Sequence, residues 1–547
     1  MVMMPQAMPE LKRFLTPLGL KKHTQTMVIR LAAAFVLHVA RMSAVQAAGA
    51  IRSEPCHRAQ VCRCLGRKFW LKCRPLDTLR ASLLACEAEK GRFVFLLDQT
   101  LHSQQGQKAE NTYSTGNHKR RPRKGRRYSK YKYASKSCHC FVMGLLITPS
   151  GYRIPFFKPF YTANYCQQKG RPFRKQTELA ADLICELPVP EGTEVVVLGD
   201  TAFDAQTIRK ACADRNFSWI TPVNTERVLA GPKPRPKVSS LVSRFKPSQF
   251  QTIRFFPGQG ELAVYRRVSR YRIGPKVKPR TYYVHQERRE VQSVGLVQLV
   301  FSTRKSARET GQMAVEKILM TADLRLTTRM IVELYTLRWQ IELFFKEMKS
   351  TLGMVHYRFR QFERVERWVE MALATFLYLE WYRARQLARR GRSKKEREWW
   401  QWQRTHGLCQ AIRQQAARAD LQYLAERLKT PGGIQRLRRE LQAACPAEYR
   451  RNIAIGITSV FHRVAPAKNS TGPNSATALA HVITAPAMIP VFAIGSTTRK
   501  NACRLVHPSV RATSSCLVPI VSNAAFTART PNEQATKNCA STIPLVV

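Results

Sequence analysis

The stretch Tyr335-Thr-Leu-Arg338-Trp-Gln-Ile-Glu342-Leu-Phe-Phe-Lys-Glu-Met-Lys349 decides how the rest of the chain is read. No glycine or proline interrupts it, and its leucines, isoleucine and paired phenylalanines suit a helix. On a wheel turning about 100° per residue, with Tyr335 at zero, Arg338, Glu342 and Lys349 fall at about −60°, −20° and −40°. These four polar groups share one stripe, and Leu337, Ile341, Phe344 and Met348 fall on the far side. The expectation is one unbroken helix, capped by Thr327 or Thr328, with an apolar back. Its other face sets a carboxylate among two cations and a phenol. Taken alone, such a face reads equally as a solvated surface with ion pairs.

Two short apolar runs give that face a chemical context. Phe93-Val-Phe-Leu-Leu-Asp98 and Glu194-Val-Val-Val-Leu-Gly-Asp200 are runs of strand formers, each closing on an acid. Runs apolar on both faces read as central strands of a covered sheet. An Asp at such a strand end emerges at the sheet edge, where clefts form in α/β folds. One such Asp is ordinarily a cap or turn residue. Two of them with Glu342 make three carboxylates, a donor set for divalent ions that keep positions open for phosphate and water.

The spacing Tyr335-x2-Arg338-x3-Glu342-x6-Lys349, preceded by two strand-ending aspartates, resembles the bacterial insertion-sequence transposases with a DDE triad and the YREK signature. The flanking Leu337–Lys346, Leu352-Gly and Tyr357-Arg358 fit the same family, and the resemblance spans roughly Phe93 to Arg385. It implies an RNase H-like mixed α/β sheet flanked by helices. It implies that Asp98, Asp200 and Glu342 are catalytic and hold two Mg2+ ions, with Mn2+ as a substitute. Tyr335, Arg338 and Lys349 would hold phosphates beside the scissile bond. The implied partners are double-stranded DNA, as element ends and target, and a second copy of the chain in a homodimer.

Composition agrees with a nucleic-acid partner. The 547-residue chain carries a formal charge of +55 and is too long for a single core. Fifteen cysteines without a dense framework read as reduced thiols of a cytoplasmic, nucleoid-associated protein. Met27–Ala50 superficially resembles a secretory signal, but Arg30, His38 and Arg41 interrupt its apolar run and also argue against a membrane span. Cys56, His57, Cys62, Cys64 and Cys73 lack the paired C-x2-C elbows of a zinc site.

In chain order, residues 1–90 read as a helical, basic DNA-binding region. Residues 91–225 form the first part of the catalytic core. Within them, Lys108–Lys136 holds eleven Lys/Arg against one acid, with Arg120, Arg121, Arg123, Lys124, Arg126 and Arg127 at its centre. Such a run is either a solvated loop or, so close to Asp98, a grip on DNA phosphates. A hairpin (Cys138–Thr148, Tyr152–Tyr161) follows, then a helix at Lys175–Leu187, the Asp200 strand, a helix at Asp204–Asn216 and a strand at Ser218–Val223. His139 in the hairpin reads as structural. Residues 226–322 read as a β-rich insertion, with runs at Thr252–Phe256, Glu261–Val268, Thr281–His285, Leu296–Thr303 and Lys317–Thr321. Residues 323–385 complete the core, and 386–452 form a basic helical region whose Trp399, Trp400 and Trp402 pack between helices. Residues 453–547, with Glu533 as their one acid, read as a disordered tail.

The reading is a Mg-dependent DNA transposase. Its rivals are a metal nuclease of the same fold that cuts without joining, a catalytically inactive DNA-binding remnant, and an exported basic protein.

Overall fold

The structure is a computed structural model. It describes residues 7–37, 43–48, 56–66, 74–88, 90–103, 109–114, 137–231, 235–255, 279–305, 315–391, 393–402, 404–432 and 435. The basic cluster Arg120–Arg127, the run Glu261–Val268 and the tail 453–547 lie outside the described residues. The chain divides into two compact units, Met1–Ala417 and Arg418–Val547.

Among the described residues five helices come first: α1 (Ala7–Leu15), α2 (Lys22–Leu37), α3 (Ala44–Ala48), α4 (Arg58–Leu65) and α5 (Pro75–Leu84). His57 caps α4, its Nδ1 accepting from the Ala59 amide at 3.2 Å. Then come β1 (Phe93–Ser103), β2 (Tyr113–Ser114), β3 (Ser137–Ile147), β4 (Arg153–Pro159), α6 (Ala163–Lys169), α7 (Gln176–Cys185), β5 (Val195–Leu198), α8 (Gln206–Asp214) and β6 (Ser218–Pro222). The expected β-rich stretch gives α9 (Val238–Val242), β7 (Gln251–Phe255), β8 (Arg280–Val291), β9 (Gly295–Thr303) and β10 (Lys317–Thr321). Last are α10 (Thr328–Thr336), α11 (Trp339–Lys346), a π-helical turn (Glu347–Thr351), α12 (Phe362–Ala388), α13 (Lys394–Trp402) and α14 (Thr405–Lys429).

The strands make one ten-stranded mixed sheet in the order β2-β3-β1-β5-β6-β10-β9-β8-β7, with β4 also on β3. β5 and β6 run parallel to β1, and β3 runs antiparallel to it. The strands of the expected insertion do not form a sheet of their own. They extend the same sheet through β10, whose Leu319 and Met320 pair antiparallel with Pro222 and Thr221 of β6.

Val94–Leu97 of β1 and Val195–Leu198 of β5 are almost wholly buried, as runs apolar on both faces require. Helix α12, 27 residues long, is buried along most of its length. The N-terminal helices pack on it: Phe14 meets Trp381 at 5.1 Å and Phe35 meets Trp368 at 4.9 Å between ring centroids. Trp400 of α13 packs edge-on to Tyr382 at 5.6 Å. Among the described residues no helix is long and apolar enough to cross a membrane.

Two sequence expectations need correction. The strand carrying Asp98 does not end there but runs on to Ser103, because β3 pairs with it along Val94–Ser103. The continuation alternates, with Thr100 and His102 buried and Leu101 and Ser103 exposed. The helix through Tyr335 and Lys349 is not continuous either. It breaks between Thr336 and Trp339, where i→i−3 bonds (Arg338 N to Tyr335 O, 3.1 Å; Gln340 N to Leu337 O, 2.8 Å) replace the α pattern. It changes again at Glu347, where the Leu352 amide bonds the Glu347 carbonyl five residues back at 3.1 Å. Gly353, with φ of 68°, turns the chain away after it.

Candidate active site

Asp98 lies two residues past the point where β5 stops pairing with β1 at Leu96. That edge of β1 is open from Leu97 onward on the β5 side, and the Asp98 carboxylate sits there, 8% exposed. Asp200 follows the end of β5. Its Oδ1 accepts from the Ala202 amide at 2.9 Å and so caps a 3-10 turn, Thr201–Phe203. Gly199 before it has no room for a side chain, since a Cβ would stand 2.9 Å from that of Phe203. The two parallel strands thus deliver their acids to the same end of the sheet.

Glu342 comes from α11, which begins after the break that ends α10. The Thr327 hydroxyl accepts from the Met330 amide at 3.2 Å and caps α10. Ile341 and Phe344 are fully buried under α11, which leaves Glu342 at the sheet edge with its side chain 38% exposed. Arg338 joins the two elements. Its Nη1 stands 3.3 Å from Asp98 Oδ2 and its Nη2 3.5 Å from Glu342 Oε1.

Electrostatics draws the three acids into one group. Burial, then the charges of Asp200 and of Glu342, push the Asp98 carboxyl up to about 7, against the opposing pull of the Gln99 amide and Arg338. A carboxyl so perturbed at an open sheet edge is a mark of a functional site.

The signature residues stand near one another although the helix that carries them is interrupted. Tyr335 is buried, its phenol pushed above its ordinary range by desolvation and placed beside Arg338. Lys349 sits in the π turn, its Nζ 3.4 Å from the Leu101 carbonyl on the open edge of β1 and 5.8 Å from the Phe345 ring centroid. The break near Arg338 and the π turn at Glu347 both depart from 100° per residue, so one uniform wheel does not describe the whole stretch.

Lys317 is a neighbour the sequence reading missed. Its Nζ stands 4.9 Å from the Tyr335 ring centroid, and burial and Arg338 lower it to about 8. Its position as the first residue of an otherwise apolar strand was its one signal. Behind β1, His139 is wholly buried, Nδ1 2.9 Å from the Tyr357 hydroxyl and Nε2 2.9 Å from the Glu110 carbonyl. Burial lowers its imidazole to about 4, which fits the structural role expected for it.

The donor chemistry suits hard divalent cations: oxygen ligands only, in acids that already repel one another. Among the described residues no three His, Cys, Asp or Glu side chains close on a single point, and Arg338 occupies the gap between Asp98 and Glu342. Asp98, Asp200 and Glu342 are the residues that would hold divalent ions here, and their all-oxygen chemistry fits that role.

Residues 174–378 match the family described as the transposase DDE domain. The match takes in Asp200, Glu342 and the strands between them, and begins after Asp98. No curated protein matches the chain.

Proposed function

We propose that this chain is a bacterial insertion-sequence transposase of the YREK type, which cuts the ends of its element and joins the freed 3′ ends to target DNA. The observation that carries the reading is the approach of Asp98, Asp200 and Glu342 at the open edge of β1, with Arg338 bridging Asp98 and Glu342. The match to a transposase DDE domain over 174–378 supports the reaction class. The order β4-β3-β1-β5-β6, antiparallel then parallel about β1, supports an RNase H-like core.

In this reading Asp98, Asp200 and Glu342 hold two Mg2+ ions, which when bound activate the attacking water or 3′ hydroxyl and stabilise the leaving oxygen. The chain's own cations do the rest. Lys349, half-exposed at the β1 edge, grips a phosphate beside the scissile bond. Arg338 keeps two repelling carboxylates in place and offers its fork to phosphate, while Tyr335, buried beside it, fixes its position. The basic stretch Lys108–Lys136 and the N-terminal region 1–90 supply DNA affinity. Two copies pair two ends in the cytoplasm, at the nucleoid. The division into an N-terminal region, a two-part core, the 226–322 insertion, a basic helical region and a tail belongs to the same proposal.

The test is incubation of the protein with DNA carrying the inverted repeats that flank its gene. Transposition requires cleavage at the repeat ends and joined products. Cleavage without joining would instead indicate a nuclease of the same fold.

A further inference from the structure

Behind the candidate site lies a buried ionic cluster that the active-site reading does not use. Arg153, the first residue of β4, is 1% exposed. Its Nη1 donates to Glu347 Oε2 at 2.7 Å, and its Nη2 donates to Glu380 Oε1 at 2.8 Å and to the Thr405 hydroxyl at 3.2 Å. Thr405 in turn donates to Glu347 Oε2 at 3.1 Å, and Arg383 to Glu380 Oε2 at 2.6 Å. Two guanidinium groups and two carboxylates thus balance in the core, tying β4, the π turn, α12 and α14 together.

Buried ion clusters contribute little net stability, because desolvation offsets their attraction, and in some proteins they serve to fix geometry instead. Here the fixed element is the π turn. Glu347 opens it and sits five residues after Glu342 and two before Lys349. The far end of the turn is held separately. Arg413 Nη2 donates to the Thr351 carbonyl at 3.2 Å, and the Thr351 hydroxyl lies 3.4 Å from His406 Nδ1. A π turn is rare and persists where its surroundings hold it; in an α-helical register Lys349 would point elsewhere.

We propose that Arg153, Glu347 and Thr405 are positioning residues. They hold the π register that sets where the Lys349 ammonium stands relative to Glu342. The inference rests on the active-site reading above, and it assigns catalytic consequence to residues outside the signature and out of reach of DNA.

The test compares Glu347→Gln, Thr405→Val, Lys349→Ala and the double variant Glu347→Gln/Lys349→Ala, in the full chain, on DNA carrying the flanking repeats. Glu347→Gln is expected to lower single-turnover cleavage at least about 10-fold and keep a cooperative thermal transition. It should also flatten the salt dependence of DNA binding by about 0.9 in slope, as Lys349→Ala does, because one phosphate contact is lost. The double variant should be no worse than Lys349→Ala alone, since both substitutions remove the same placed ammonium. Thr405→Val, which removes one neutral hydroxyl, decides the same comparison if Glu347→Gln does not fold. Losses that multiply in the double variant would overturn the proposal, as would failure of both variants to fold. Normal cleavage by Glu347→Gln beside an inactive Lys349→Ala would overturn the brace alone. Normal cleavage by Lys349→Ala would overturn the active-site reading as well.

Discussion

Arg338 Nη1 lies 3.3 Å from Asp98 Oδ2, across 240 residues of sequence, while its other terminal nitrogen lies 3.5 Å from Glu342. One guanidinium therefore spans the strand acid and the helix acid. It partly offsets a repulsion that burial makes costly, and it keeps both carboxylates at the same edge of β1.

That geometry bears on Arg338→Lys. An ammonium keeps the charge but cannot reach two carboxylates as a planar fork does. Cleavage is expected to fall about 10- to 100-fold, as loss of a positioned charge-assisted bond would require. Because Arg338 orders the acids, raising Mn2+ should recover part of the loss. An Arg338→Lys variant insensitive to Mn2+ would assign the residue to phosphate alone.

Asp98 and Asp200 stand out in the sequence because an apolar run of strand formers closes on each. The interruptions of the Glu342 helix do not. Tyr335–Lys349 contains no helix breaker, and the contacts found beside the break and the π turn are with residues remote in sequence: Lys317 over the Tyr335 ring, and Arg153 on Glu347. The extension of β1 was hidden for a related reason. Gln99, Thr100, His102 and Ser103 are polar and end the apolar run, yet β3 pairs with them and the Tyr357 hydroxyl lies 3.5 Å from His102 Nδ1. Thr327 and the hairpin, which rest on local chemistry, stood where their residues placed them.

A pH prediction comes from Glu366 on α12, buried and accepting from the Tyr161 hydroxyl at 2.6 Å. Burial raises its carboxyl from 4.5 to about 7. Folding thus favours the protonated acid. Its cost is absent below the unfolded value, grows as pH rises through this interval, and is complete above the folded value. Glu366→Gln should leave the thermal midpoint unchanged about one pH unit below 4.5 and raise stability at pH 8 by up to about 3 kcal/mol. Equal midpoints at pH 8 would contradict this.

The basic loop Lys108–Lys136 should bind DNA mainly through phosphate. Neutralising three of Arg120, Arg121, Arg123, Lys124, Arg126 and Arg127 should weaken binding to any sequence and flatten the salt slope by about 0.9 per lost contact. An unchanged slope would make the loop a solvated bystander.

Residues 453–547 should be dispensable. They carry one acid, few cations and no regular apolar period, so they offer the core little to bury in a pattern. A chain ending at Arg451 should keep its thermal transition and its cleavage rate, and loss of soluble protein on truncation would refute this.

The most direct measurement is cleavage of DNA carrying the flanking repeats by Asp98→Asn, Asp200→Asn and Glu342→Gln, with binding followed in parallel. These substitutions keep shape and remove the charges that hold metal. Cleavage should vanish in all three at any Mg2+ or Mn2+ concentration while DNA binding stays within about threefold, since affinity comes chiefly from the basic surface. Normal cleavage by Glu342→Gln would contradict the account.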